Sequence, residues 1–279
     1  MIRLPGPLSD RETPLFPLLR QLKGGWFYYR MRTFLLPLYV RKSIETPVLR
    51  QDLDSFLPLF EEAYENFLSV LQAQIDEINW PLGKIYNGFF QSVDAELYYC
   101  FIRMLKPRLI IEVGSGHSSW MAFDAIKRNG SGDLLSIDPN PRTRIPKEYG
   151  RFQGRVENVP SQVFQHLRRN DILFVDSSHT TTEALYHTLH ILPLLRPGVF
   201  IHYHDVYYPY DLFFGSDRKL FGESEILLGF LRENQGSYRV VTGSSFVTYA
   251  RPRSVKALVK SLRYNPRFRP SSLWIEKTN

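Results

Sequence analysis

The sequence predicts an α/β protein whose core is a doubly wound, mostly parallel sheet with helices on both faces. Three features indicate this fold class. From residue 109 onward, short apolar runs alternate with segments of helical periodicity. The first apolar run ends at a turn of small residues that opens a helix. Two later runs, 171–176 and 199–204, end in acidic and imidazole side chains, as expected where the strands of such sheets end at a ligand crevice.

The composition is that of an ordinary globular chain. Its 279 residues are 43% hydrophobic and 23% charged, which suits one large domain with an extension. The single cysteine, Cys100, excludes an intrachain disulfide framework and predicts a cytoplasmic protein; its helical spacing predicts that it is buried. No run approaches the roughly 18 apolar residues of a membrane span. We expect no signal peptide, because Pro5, Pro7 and Asp10 interrupt the N-terminus.

The N-terminal 50 residues are rich in proline and arginine and predict an irregular or partly helical arm. The net charge of +7 is dispersed except between Arg20 and Lys42, where basic residues lie among the aromatic side chains of 26–29. Such a cluster suits contact with an anionic membrane surface or with nucleic acid. The interpretation we favour is a basic surface helix that packs its aromatic side chains onto the main domain.

Two helices are predicted between this arm and the sheet. Apolar residues recur at steps of three and four over 52–80, and a second helix is expected from Asp94 to Leu105, stopped by Pro107. We therefore predict an N-terminal arm and helical extension at 1–82 and the main α/β domain at 83–279.

The first strand of the sheet leads into a glycine-rich turn. Gly114 and Gly116 let the backbone turn sharply and approach a ligand, because neither carries a Cβ. Ser118 or Ser119 can cap the next helix, whose free N–H groups favour anionic or polar ligand groups. Glu112 is expected to point into the same crevice, and a nucleotide-type ligand is predicted there.

The remaining elements continue the alternation. Strands are predicted at 134–138, 155–157, 171–176 and 199–204, with helices near 119–128, around 163–167 and at 181–195. The last predicted elements are a helix at 223–231, a strand at 238–242, a helix at 254–262 and a strand at 272–277. Asp138 ends the second strand, where an acid accepts hydrogen bonds from ribose hydroxyls, unless it only caps the turn before Pro139. Glu157 and Asn158 follow the third predicted strand.

Four titratable residues form the strongest candidate site. Asp176 and His179 follow one strand, and His204 and Asp205 follow the next, so parallel pairing should bring them into one crevice. Asp176, His204 and Asp205 could hold a divalent ion, and His179 could accept a proton from a hydroxyl near pH 7. The alternatives are that Asp176 caps the next helix and that His179 bonds to the backbone. The role of His202, on the same face as His204, stays open.

Several motifs together resemble the methyltransferase-24 branch of the class I S-adenosylmethionine (SAM) methyltransferases. They are Glu-Val-Gly-Ser-Gly-His-Ser at 112–118, Val-Asp-Ser-Ser-His at 175–179, Leu-Pro-Leu-Leu-Arg-Pro-Gly-Val at 192–199 and His-Tyr-His-Asp-Val at 202–206. Further similar positions are Asn87, Asp94, Tyr98, Glu223 and 272–275. The resemblance implies a Rossmann-like sheet of seven strands and SAM as cofactor, bound by Glu112, Gly114, Ser115, Gly116, Asp138 and Asn158.

The wider group includes magnesium-dependent O-methyltransferases that act on macrolide sugars. Carried over by position, Asp176 becomes a metal ligand, His179 the base, and His204 with Asp205 the pair after the fifth strand. His204 departs from the acidic pair of that group, which weakens the prediction of Mg²⁺ or another divalent cation.

The resemblance therefore implies O-methylation of a small-molecule hydroxyl, on a sugar or a phenol-like acceptor. Tyr207, Tyr208 and Tyr210 lie where residues that shape an acceptor site would follow the fifth strand. Two alternatives stay open: a nicotinamide-dependent oxidoreductase, against which Ser119 replaces the third glycine of its turn, and a catalytically silent module that binds a membrane or a protein partner. No nucleic-acid substrate is expected, since no Asn-Pro-Pro-Tyr-type motif or dense basic stripe occurs. A homo-oligomer is allowed by the sequence.

Overall fold

A computed structural model describes residues 48–49, 57–85, 87, 89–141, 143, 146–208, 210–211, 222–263 and 270–279. In these ranges the strands are β1 (Val48–Leu49), β2 (Leu109–Val113), β3 (Asp133–Ile137), β4 (Gly150–Phe152), β5 (Ile172–Val175), β6 (Phe200–Tyr203), β7 (Tyr210–Asp211), β8 (Tyr238–Gly243) and β9 (Leu273–Lys277). The α-helices are α1 (Leu57–Gln74), α2 (Leu82–Ile85), α3 (Asp94–Leu105), α4 (His117–Asn129), α5 (Thr181–Tyr186), α6 (Gly222–Glu233), α7 (Ser244–Ala250) and α8 (Pro252–Leu258).

Seven of these strands form the central sheet, in the order β4-β3-β2-β5-β6-β9-β8. The first five are parallel, with Glu112 opposite Phe174 and Phe174 opposite His202, and β9 runs antiparallel between β6 and β8. The chain order reverses between β2 and β5, so a crevice opens at the carboxyl ends of these two strands. The predicted doubly wound, mostly parallel sheet of seven strands is confirmed.

Several predicted elements differ from the structure. The helix expected around 163–167 is a 3-10 helix at Ser161–His166, the helix expected at 254–262 is divided into α8 and a 3-10 turn at Lys260–Arg263, and α7 was not predicted. The third strand is β4, at 150–152, because these residues pair with β3, and the predicted strand 155–157 is a short 3-10 turn at Val156–Asn158. The predicted helix 181–195 is divided into α5, a π-helical segment at His187–Ile191 and a 3-10 turn at Leu192–Leu194. Pro193 cannot donate to a helical ladder, which accounts for the end of regular structure there.

Apolar side chains cover both faces of the sheet. Alternate residues of each central strand face opposite layers, so Ile110 and Ile111 belong to different cores. In one layer Phe101 of α3 stacks on Trp274 at a centroid distance of 4.0 Å. Phe67 of α1 joins this layer, and Cys100 is fully buried, as predicted. The division into 1–82 and 83–279 stays a prediction.

The basic cluster between Arg20 and Lys42 lies outside the described residues. Later in the chain, β1 pairs with β7 as a small antiparallel sheet that the sequence did not predict. None of the described helices is both long and apolar enough to cross a lipid bilayer.

Candidate active site

The glycine-rich turn joins β2 to α4 at the crevice. Gly114 has φ of +83°, and a Cβ added there would lie 1.8 Å from the backbone carbonyl oxygen of Asp176. Gly116, with φ of 170°, has extended backbone that any residue adopts. Of the two glycines, Gly114 is therefore the one that the turn requires, because it lets β2 and the end of β5 approach closely.

Glu112 is fully buried beneath this turn and does not point into the crevice. Its carboxylate accepts hydrogen bonds from the hydroxyl of Tyr98 (3.0 Å) and from Ser119 Oγ (2.5 Å). Ser119 Oγ in turn accepts from the backbone N–H of Gly116 at 3.2 Å. The N-cap of α4 is Gly116, so neither Ser118 nor Ser119 takes the predicted capping position. Glu112 thus fixes the shape of the turn from below.

Burial raises the pKa of Glu112 to about 7, although hydrogen bonds from Ser119 and Tyr98 oppose the shift. An acid with a raised pKa in the folded state binds more protons there than in the unfolded state between pH 4.5 and 7. Its ionisation therefore lowers stability as the pH rises through this window. We expect Glu112→Gln to remove that slope, so that the variant gains about 3 kcal/mol relative to wild type between pH 4 and 8. Urea unfolding of both proteins at pH 4 and pH 8 measures this change. The same stability difference between variant and wild type at both pH values would contradict the prediction.

Asp138 lies just beyond β3 and also supports the turn. Its carboxylate accepts from the backbone N–H of Ser115 (2.8 Å), from Ser115 Oγ (3.2 Å) and from the backbone N–H of Asn140 (2.7 Å). The residue is half-buried, so part of the carboxylate faces the crevice. Asn158, at the end of its 3-10 turn, is exposed.

The predicted cluster of acids and imidazoles forms where β5 and β6 end. His179 Nε2 lies 3.4 Å from Asp205 Oδ2 and 3.6 Å from Asp176 Oδ1. Its Nδ1 lies 2.7 Å from Glu223 Oε2, so His179 does not bond to the backbone as in the alternative interpretation. Thr180, not Asp176, caps α5, since its hydroxyl accepts from the Glu183 N–H.

Backbone strain marks two residues of this cluster. His179 and Asp205 have φ of +56° and +58°, in the left-handed region that side-chain-bearing residues rarely adopt. Such conformations persist where the surrounding structure determines them, and they are common at functional sites.

His204 lies on the buried side of the cluster, between three carboxylates. Its Nδ1 is 3.5 Å from Asp176 Oδ1 and 3.6 Å from Asp205 Oδ1, and its Nε2 is 3.6 Å from Asp94 Oδ2. Burial lowers the pKa of His204, but Asp205 and Asp176 outweigh it and raise this pKa well above its usual value. His204 therefore adds a positive charge to the cluster.

Asp94 is the buried partner that sequence reasoning named only as a matching position, without a role. This first residue of α3 accepts hydrogen bonds from Ser244 Oγ (2.6 Å) and from the backbone N–H groups of Ser271 (2.9 Å) and Ser272 (3.2 Å). Burial raises its pKa, and the contact with His204 reverses this effect, so the pKa of Asp94 is lowered overall. Asp94 ties α3, α7 and the start of β9 to the site.

His202 belongs to the core. Its ring stacks on Phe174 at 4.3 Å, and its Nε2 lies 2.7 Å from Ser272 Oγ. Burial lowers the pKa of His202 to about 3, so it is neutral. Tyr208 also packs inside, where its hydroxyl donates to the Ser224 carbonyl, whereas Tyr207 is half-buried and the side chain of Tyr210 lies outside the described residues.

The metal-ligating atoms of Asp176, His179 and Asp205 lie within 4.8 Å of one another. Two carboxylates and one imidazole form a donor set that a divalent ion accepts, with a preference for Mn²⁺, Fe²⁺ or Zn²⁺ over Mg²⁺. The predicted set had His204 in the place of His179. His204 is not in this group. Two of the three predicted ligands, Asp176 and Asp205, do belong to it.

Comparison with known sequences points to one family. Residues 111–206 match the methyltransferase-24 family, described as a methyltransferase domain. An uncharacterized protein of Archaeoglobus fulgidus is 32% identical over an alignment of length 133, which covers 42% of this chain and 60% of that protein. The chain thus spans less than two thirds of this relative's length. The matched segment contains the turn and Asp176, His179, His204 and Asp205, which we call the acid–histidine cluster, but neither Asp94 nor Glu223.

Three solved structures are also similar at low identity. The O-methyltransferase TomG from Streptomyces achromogenes, involved in tomaymycin synthesis and solved with SAM, is 15% identical over 77% of this chain and 90% of its own, with a TM-score of 0.41. A structure of cmcI with magnesium and SAM is 16% identical over 74% of this chain and 84% of its own, with a TM-score of 0.41. An O-methyltransferase from Bacillus cereus, solved with S-adenosylhomocysteine, is 12% identical over 77% of this chain and 91% of its own, with a TM-score of 0.37.

Proposed function

We propose that this chain, whose residues 111–206 match a methyltransferase domain, is a class I SAM-dependent methyltransferase that transfers the methyl group of SAM to the hydroxyl oxygen of a small molecule. The acceptor class we infer is a sugar or a phenol-like compound. The observation that carries this proposal is the position of His179, whose Nε2 faces two carboxylates beside the glycine-rich turn.

SAM would bind across the turn between β2 and α4. Gly114 lets β2 approach the end of β5 and so sets the shape of the turn. Asp138 is half-buried and has carboxylate oxygens for ribose hydroxyls. Glu112 would act by shaping the turn. Asn158 is exposed near the same edge and is proposed to contact the adenine.

In the proposed reaction the acceptor oxygen attacks the methyl carbon of the sulfonium, and the C–S bond breaks to leave neutral S-adenosylhomocysteine. The hydroxyl proton passes to Nε2 of His179. Since the sulfonium is already an activated donor, the protein chiefly aligns acceptor, methyl carbon and sulfur. His204 and Asp176 would hold the acceptor side of the crevice in place.

His179 must be neutral before it can accept this proton. Burial lowers its pKa, but Glu223, Asp205 and Asp176 outweigh burial and raise it to about 10. Positive charge placed beside Asp176 and Asp205 would bring this pKa back toward neutrality, because it offsets their effect on the imidazole. The sulfonium of SAM carries such a charge.

The donor set also fits a divalent cation. Asp176 and Asp205 would hold it, on the side of the cluster that His179 Nε2 faces. Such an ion lowers the pKa of a bound hydroxyl when present. The other proposals follow the sequence: a cytoplasmic protein with a small-molecule acceptor and no nucleic-acid substrate.

Calorimetric titration with SAM and S-adenosylhomocysteine, with and without magnesium or manganese, tests the proposal. We expect micromolar dissociation constants for both ligands, and metal binding that Asp176→Asn weakens. NADH serves as the control ligand and should not bind. If SAM binds in none of these conditions, the proposed function is overturned.

A further inference from the structure

We propose that Glu223 is a positioning residue, which holds the Nδ1–H of His179 and keeps its Nε2 turned toward Asp176 and Asp205. The importance of this role for turnover rests on the proposed function, in which His179 is the base. The contact itself can be tested on the folded protein without any acceptor.

The distances around the His179 ring distinguish Glu223, which forms a hydrogen bond, from Asp176 and Asp205, which do not. Glu223 Oε2 lies 2.7 Å from Nδ1, the length of a charge-assisted hydrogen bond. The carboxylates on the other side lie 3.4 and 3.6 Å from Nε2, beyond the usual range of an N–H···O bond. One nitrogen of His179 is therefore tied to Glu223, and the other is left for chemistry.

The start of α6 is shaped to deliver this carboxylate. A Cβ added at Gly222 would lie 2.6 Å from Thr181 Oγ1, so the glycine lets the first turn of α6 approach the first turn of α5. Glu223 follows directly and is almost completely buried, at 3% exposure. Its side chain crosses from α6 to a residue 44 positions earlier in the chain.

Glu223 has no competing cation among the described ion pairs, in which it pairs with His179 alone. The other titratable groups that feel its charge are Glu183, His187 and Tyr203, and none of them is a cation. Burial lowers the pKa of His187 to about 4 and raises the pKa of Tyr203 well above its usual value. A buried carboxylate is costly without a partner, so this environment commits Glu223 to His179.

The direct test is the long-range ¹H–¹⁵N spectrum of the histidine rings at fixed pH, without metal or acceptor. The signals of His179 are assigned by their loss in His179→Gln. In the wild type we expect an Nδ1 proton protected from exchange by its hydrogen bond. Glu223→Met has similar length but no acceptor oxygen, and it should lose this proton signal to exchange with water. Glu223→Gln keeps an oxygen without the charge, and it should retain the signal at a shifted position.

The rate of turnover should fall when the orientation of the His179 ring is lost. We expect kcat to fall about 10- to 100-fold in Glu223→Met, with partial recovery in Glu223→Gln. KM and Kd for SAM should stay within about twofold of wild type, because the turn is untouched. Glu225→Gln, in the same first turn of α6 but exposed, is the matched control and should leave spectrum and turnover unchanged.

Unchanged His179 signals in Glu223→Met would overturn the proposal. If circular dichroism shows that this variant does not fold, Glu223→Gln decides, since replacing a charged acceptor by an amide must shift the Nδ1 proton. Wild-type signals in Glu223→Gln would then overturn it. A wild type that binds no SAM disproves the proposed function while leaving this spectral test intact.

Discussion

Gly114→Ala is expected to destabilise the fold by roughly 3–5 kcal/mol and to remove SAM binding. The added Cβ would lie 1.8 Å from the carbonyl oxygen and 2.6 Å from the carbonyl carbon of Asp176. Both are backbone atoms at the end of β5, so relief requires β2 and β5 to separate at the crevice. The φ of +83° adds strain for any residue with a Cβ. Urea unfolding and calorimetry with SAM measure the two effects.

Gly130 provides the matched control for this substitution. It has a similar φ of +71°, at the C-terminal end of α4, but a Cβ there would meet nothing within 4 Å. Gly130→Ala therefore isolates the cost of the backbone conformation, which should be about 1 kcal/mol, and SAM should bind as in the wild type. Equal losses in the two variants would show that the contact with Asp176 is unimportant.

His179→Ala is expected to lower kcat by about 10²- to 10⁴-fold, the usual contribution of a general base. SAM affinity should stay near the wild-type value, because the proposed SAM contacts come from the glycine-rich turn and Asp138 and not from the His179 ring. Formation of S-adenosylhomocysteine in a screen of sugars and phenols measures turnover once an acceptor is found. Normal turnover in the variant would remove His179 as the base.

The control for this experiment is His190→Ala. His190 is exposed in the π-helical segment after α5 and lies outside the acid–histidine cluster. The His190→Ala variant should therefore keep the turnover and the SAM affinity of the wild type. A comparable loss in both variants would indicate a general effect of removing a histidine from this part of the chain.

The sequence by itself determined the alternation of the central strands and helices and the place of the crevice. Alternating apolar runs identified β2, β3, β5 and β6, and Asp176, His179, His204 and Asp205 converge as predicted, because parallel strands end at one edge. The limits of α3, Asp94–Leu105, were also predicted correctly, since its apolar face is regular and Pro107 stops it. These features follow from local periodicity.

Only the tertiary structure decided which partners complete the site. Glu112 turned out to be buried under the turn, because Tyr98 of α3 and Ser119 of α4 converge on its carboxylate. Asp94 and Glu223 reach His204 and His179 from helices that lie far away along the chain. Periodicity shows which face of a helix is apolar, but not where that helix docks along the sheet. That position is set by close packing, here by contacts such as Gly222 against Thr181, and so it could not be predicted from the sequence.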